Sequence, residues 1–259
     1  MGKTFEAIER AKREKDSQKA MDPFQLKEGG TDAHPEVPLT LIDTRKEQVL
    51  PHTSFEQYQQ LKASLLNRYP DLRHKVIMLV SSIDNEGCTT TAVNLARALA
   101  EDDEVRVLLV DSNLRNPSLH QVFGLDNKYG FSNVVCFEID TDQAIKETDK
   151  DNLFVITSGR TSRPPGSTFR CQGLRPVFDQ LKDRFDFVIL DTPAVTLYSD
   201  SITLCSDVDG VVFVVEAEKT RWEIAQEAKE RLTAAGARIL GGVLNKRKYH
   251  IPEYIYDRL

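Results

Sequence analysis

Ser81-Ser82-Ile83-Asp84-Asn85-Glu86-Gly87-Cys88-Thr89-Thr90-Thr91-Ala92 is the stretch that decides the fold. It follows Val76-Ile77-Met78-Leu79-Val80, a continuous apolar run of the kind found in a strand buried on both faces. It leads into a helical pattern from Thr89 to about Ala100. A glycine-bearing turn between a buried strand and a helix aims backbone N–H groups at one point, which is how a chain cradles phosphate. Gly87 and Thr89 match the G-K-[ST] ending of such a loop. Position 88 holds Cys where lysine is expected, and Ser82 stands at the spacing of the first glycine.

Outward from the loop, strand-like runs recur at 105–110, 153–156, 187–190, 211–215 and 239–244. Helical patterns lie before and between them, at 55–69, 172–182 and 221–235, the last stopped by Gly236. Strands alternating with helices predict a three-layer α/β fold with a mainly parallel sheet covered on both faces. In such a sheet ligands bind beyond the carboxyl ends of the strands. Counting 76–80 as the first strand, Asp111 ends the second and Asp191 the fourth, so Thr89, Asp111 and Asp191 are expected on one rim. One hydroxyl and two carboxylates suit Mg²⁺, a hard cation that takes oxygen ligands and keeps several waters.

The 259 residues carry a net charge of −6, which argues against a general nucleic-acid coat. The four cysteines, at 88, 136, 171 and 205, form no CxxC pair and suggest a reducing, cytoplasmic setting. No signal peptide or membrane-length apolar run is read in the chain. Residues 1–52 differ from the rest. Phe5 and Ile8 share one stripe of a short amphipathic helix, and about 15–50 reads as a flexible linker poor in core-forming residues. The expected division is therefore 1–52, an N-terminal helix and flexible tail, and 53–259, one globular domain. Lys246-Arg247-Lys248, after the last strand, reads as a solvated basic edge.

The motifs taken together resemble the bacterial tyrosine kinases that regulate capsule and exopolysaccharide export, within the MinD/ParA-like branch of P-loop ATPases. The family's loop, P-G-E-G-K-[ST]-x-x-A-x-N-L-A, aligns with Asp84 to Ala96. Its D-x-D-x-R-x-P-S-x-H motif aligns with Asp111-Ser112-Asn113-Leu114-Arg115-Asn116-Pro117-Ser118-Leu119-His120, and its Walker B motif with Asp191-Thr192-Pro193-Ala194. The opening Met1 to Ile8 and the closing Asn245 to Pro252 look like the free-standing cytoplasmic members. The resemblance implies a P-loop NTPase fold, ATP or ADP with Mg²⁺ as cofactors, and a nucleotide cradle at Asn85, Glu86, Gly87, Cys88, Thr89 and Thr90. It implies Mg²⁺ ligation by Thr89, Asp111 and Asp191, catalytic positions at Asp111, Asn113 and Arg115, and candidate phosphoacceptors at Tyr249, Tyr254 and Tyr256. The partner it implies is a membrane polysaccharide co-polymerase, or chain-length determinant, at the inner membrane face, with a homo-oligomer or an active paralogue beside it.

The departures set the functional expectation. Cys88 replaces the lysine that contacts β- and γ-phosphates, and Asn113 replaces the second aspartate of D-x-D. Glu56, Gln59 and Lys62 stand where the family's ring-forming E-x-x-R-x-x-R falls, so both arginines are gone. Losing the lysine and the aspartate together is expected to slow phosphotransfer roughly 10³- to 10⁵-fold, at ~3 kcal/mol per electrostatic stabiliser and ~1.36 kcal/mol per decade. A pseudokinase with impaired ATP hydrolysis is therefore the first expectation. An active autokinase using Lys62, Arg115 or a neighbouring subunit as substitute cation is the second. A MinD/ParA-like positioning ATPase is the third, disfavoured because that branch's additional loop lysine falls at Ile83.

Overall fold

The computed structural model describes residues 39–41, 51–72, 75–170 and 174–247. Eight strands form one sheet: β1 (Leu39–Leu41), β2 (Lys75–Ser81), β3 (Val107–Asp111), β4 (Ile145–Glu147), β5 (Leu153–Ile156), β6 (Phe187–Asp191), β7 (Gly210–Glu216) and β8 (Ile239–Asn245). Their order across the sheet is β1-β8-β7-β2-β6-β3-β5-β4, and every pairing except β4 with β5 is parallel. The expected parallel sheet is present, with an added strand at each edge.

Two apolar layers flank the sheet because strand side chains alternate between faces. From β2, Val76, Met78 and Val80 enter one core with Phe131, Phe178, Phe213 and Leu232. Ile77 and Leu79 enter the other with Leu61, Leu65, Leu95 and Leu99. The second core is closed by α1 (Pro51–Arg68) and α2 (Cys88–Leu99). The first is closed by α4 (Phe131–Val135), α7 (Leu174–Lys182), α8 (Asp200–Cys205) and α9 (Trp222–Ala234); α3 (Leu119–Val122), α5 (Thr141–Ala144) and α6 (Pro165–Thr168) are single turns in the connections.

Three local differences from expectation have physical causes. Leu39–Leu41 lies inside the stretch read as linker, yet its backbone pairs in parallel with Gly242–Leu244 of β8. β4 is an edge strand of mixed polarity, and its Lys146 ammonium is bonded to the Asp126 and Tyr129 carbonyls. β3 begins at Val107 rather than 105, because the Arg106 amide is donated instead to Asp186 Oδ2. The amphipathic helix read near residue 5 lies outside the described residues, as does Cys171.

Candidate functional site

The carboxyl ends of five adjacent strands make the rim: Asn245 on β8, Glu216 on β7, Ser81 on β2, Asp191 on β6 and Asp111 on β3. Ladder register fixes the two carboxylates, since Asp191 pairs with Asp111 on one side and Leu79 on the other. The loop from Ser82 to Gly87 leaves β2 between β7 and β6, and Gly87 caps α2. The first-turn N–H groups of that helix have no intrahelical acceptor and face the rim with the positive end of the dipole.

Gly87 is required where it stands. Its φ is +89°, in the left-handed region, and a Cβ there would fall 2.1 Å from Asn245 Nδ2. That amide nitrogen donates to the Glu86 carbonyl at 2.7 Å, so β8 holds the loop from outside. Glu86 holds it from inside. Its side chain is fully buried, with Oε2 accepting from Ser82 Oγ at 2.7 Å and from the Ile83 amide at 2.9 Å. Oε1 accepts from the Glu216 amide at 3.1 Å and from Thr220 Oγ1. Glu86, expected in the nucleotide cradle, thus uses its carboxylate as an internal brace.

Thr89 Oγ1 donates to Asp191 Oδ2 at 2.6 Å. Asp191 Oδ1 is buried with no hydrogen-bond partner, an acceptor waiting for a donor or a cation. Asp111 Oδ2 accepts from the Ser118 and Leu119 amides at 3.0 Å each, and Oδ1 accepts from the Asn113 amide at 3.2 Å. Burial pushes the Asp111 carboxyl up to about 6, against the pull of those amides. Burial and the neighbouring Asp111 charge push Asp191 up to about 7, against its bonds from Thr89 and Cys88. The oxygen set fits Mg²⁺. Among the described residues no cluster of three or more His, Cys, Asp or Glu could hold a metal ion.

Cys88, read from the sequence at the loop's lysine position, is buried against the second core, close enough to Asp191 to feel its charge. Burial first, then the Asp191 charge, raise its pKa well above the usual thiol range, so it stays a neutral thiol. Neither substitute cation named from the sequence reaches the loop. Lys62 Nζ donates to the Ala98 carbonyl at 3.0 Å, about 15 Å down α2 from Cys88 at 1.5 Å per residue. Arg115 Nε is paired with the buried Asp200 at 2.7 Å, its guanidinium stacked 4.6 Å from the Tyr198 ring centroid. Asn113 Oδ1 accepts from the Asn116 amide at 3.1 Å, capping a turn. Asn85 lies in the loop with a left-handed φ of 66°, and Thr90 lies in the first turn of α2. Tyr249, Tyr254 and Tyr256 lie outside the described residues.

A cation does sit at the loop, and it is one the motifs did not disclose. Lys246, read as part of a solvated edge, places Nζ 2.6 Å from the Asn85 carbonyl. Its φ of 54° turns the side chain back over the rim instead of along the strand.

The AAA domain family matches residues 74–227, from β2 into α9. The tyrosine-protein kinase YwqD of Bacillus subtilis is 32% identical over 193 residues, covering 74% of this chain and 81% of that protein. The chain belongs to the bacterial tyrosine kinase family. Among solved structures, the chimerical protein CapA2B2 superposes with a TM-score of 0.74 at 28% identity, covering 82% of this chain and 96% of that one. MinD from Pyrococcus horikoshii, solved with Mg-ADP, superposes with a TM-score of 0.58 at 26% identity, covering 71% and 76%. The P-loop ATPase fold is therefore shared by kinase and MinD-like relatives. No described helix of this family member is long and apolar enough to cross a membrane.

Proposed function

We propose that this chain regulates exopolysaccharide or capsule synthesis and export as a degenerate tyrosine kinase whose phosphotransfer is lost or strongly impaired. The observation that carries the reading is Cys88: a buried neutral thiol beside Asp191 stands where the family's loop supplies a charge to the transferring phosphate. Asn113, tied into a turn, supplies no base in place of the family's second aspartate.

Nucleotide binding is separable from that loss. The amides of 85–90 and the α2 N-terminus would hold the phosphates of ATP or ADP, and Thr89, Asp111 and Asp191 would hold Mg²⁺. When bound, Mg²⁺ supplies charge neutralisation at the phosphates. The partner is a membrane polysaccharide co-polymerase that recruits this cytoplasmic chain to the inner membrane face, with a homo-oligomer or an active paralogue alongside. The family membership supports that reading.

The test is phosphotyrosine mapping of the purified full chain after incubation with MgATP, with Cys88→Lys alongside. Wild type should carry no phosphate on Tyr249, Tyr254 or Tyr256, and Cys88→Lys should gain nucleotide affinity. Stoichiometric phosphotyrosine on wild type would replace this reading with a working autokinase.

A further inference from the structure

β8 ends at the loop, and its last residue and the next one, Asn245 and Lys246, touch three consecutive loop residues. Asn245 Nδ2 bonds the Glu86 carbonyl at 2.7 Å. Lys246 Nζ bonds the Asn85 carbonyl at 2.6 Å, and its Cε lies 3.8 Å from where a Cβ on Gly87 would stand. The ammonium is therefore anchored to the outer lip of the same turn that Cys88 leaves uncharged, reaching it from another strand. Its only carboxylate neighbour among the described residues is Glu216, at 3.3 Å, and Lys219 holds the same Oε2 at 3.0 Å. Two ammonium groups thus share one carboxylate, so Glu216 does not claim Lys246 for itself. Lys246 is 37% exposed, so its four-carbon stem has room to swing from a carbonyl toward a ligand.

We propose that Lys246 contacts the phosphates of a bound nucleoside di- or triphosphate, supplying a positive charge to the loop from β8. This rests on the reading that the rim takes nucleotide. An ammonium beside a di- or triphosphate gains ion–ion attraction, where its bond to a neutral carbonyl is only ion–dipole. The ammonium sits at the loop's lip rather than at the first turn of α2. It therefore secures binding without restoring the charge at the transferring group. That combination is what a nucleotide-responsive regulator without kinase turnover requires.

Calorimetric titration of the full chain with MgADP tests this, using wild type, Lys246→Gln, Lys246→Arg and Lys219→Gln. Lys246→Gln should bind about tenfold or more weakly, and Lys246→Arg should stay within about threefold of wild type, because charge rather than shape is used. Lys219→Gln removes a charge from Glu216 but not from the loop and should change affinity less than about twofold. The affinity of Lys246→Gln should also fall less steeply with added salt than that of wild type, a difference that simple bracing of Asn85 would not produce. Thermal melts without nucleotide should be alike for all four proteins. The proposal is overturned if Lys246→Gln binds like wild type, if Lys246→Arg fails as badly as Lys246→Gln, if the salt dependence is unchanged, or if wild type binds no MgADP. Phosphotyrosine on wild type would overturn the pseudokinase reading and leave the role of Lys246 standing.

Discussion

Glu86 is the residue whose replacement should most directly expose how the loop is held. Its carboxylate accepts from two backbone amides, of Ile83 and Glu216, and from two hydroxyls, of Ser82 and Thr220. Each oxygen therefore faces one amide and one hydroxyl. In Glu86→Gln the new NH₂ must face one such pair. The hydroxyl there can rotate and accept, but the amide cannot, so one buried N–H is stranded at about 1–3 kcal/mol. Glu86→Ala strands both amides and opens a void, for about 2–6 kcal/mol from the amides alone. Urea unfolding followed by the fluorescence of Trp222 would measure both, since that residue begins α9 two positions after Thr220. A Glu86→Gln cost under ~0.5 kcal/mol, within the range of ordinary surface substitutions, would refute the brace.

The two rim carboxyls set a pH dependence. Asp111 is pushed up to about 6 and Asp191 to about 7, so the unfolded chain gives up these protons first as pH rises. Stability of the metal-free protein should therefore fall between about pH 4 and 7 and flatten above, by a few kcal/mol. Urea midpoints at pH 5 and pH 8 in chelator should show it, and Asp191→Asn should remove most of the slope; a midpoint that rises with pH would contradict the burial argument. Gly87→Ala combines a left-handed φ with a clash against Asn245 and should cost about 2–4 kcal/mol, read from a thermal melt. Arg115→Met leaves the buried Asp200 carboxylate without its partner. Discounted for the third of Arg115 that is exposed, it should cost ~1–3 kcal/mol, and an unchanged denaturation midpoint would mean solvent already satisfies Asp200.

What the sequence disclosed and what it hid divide along range of interaction. The β2–loop–α2 unit and the carboxylates at strand ends were legible because each depends on residues within a few positions. Apolar runs place Asp111 and Asp191 at strand termini whatever the rest of the chain does. β1 was hidden because three residues, Leu39-Thr40-Leu41, are too short a run to show a strand's period, and pairing with β8 makes them one. The partners of Lys62 and Arg115 lie 36 and 85 positions away, so both side chains looked free to serve the loop. Lys246 was hidden twice over. It lies 161 positions from Asn85, and the left-handed turn that aims it has no glycine or asparagine at 246 to announce it. The role of Glu86 was masked by its own motif, which invites every loop residue to be read as facing the ligand.

These particulars bear on how the loop keeps its shape with Cys at position 88. The loop's shape is fixed by Glu86 beneath it, Asn245 beside it and the left-handed Gly87, none of which needs a bound phosphate. Position 88 contributes packing against the second core, not the course of the backbone. Cys88 should then report the loop's order in the nucleotide-free protein. A thiol that is buried and held above its usual pKa reacts slowly, so maleimide at neutral pH should label the half-buried Cys136 well before Cys88. MgADP should change the Cys88 rate little, and Glu86→Gln should accelerate it by opening the loop. If Cys88 were instead labelled rapidly without nucleotide and protected by MgADP, the ligand rather than the scaffold would be ordering the loop. Binding and loop integrity would then be inseparable in this chain.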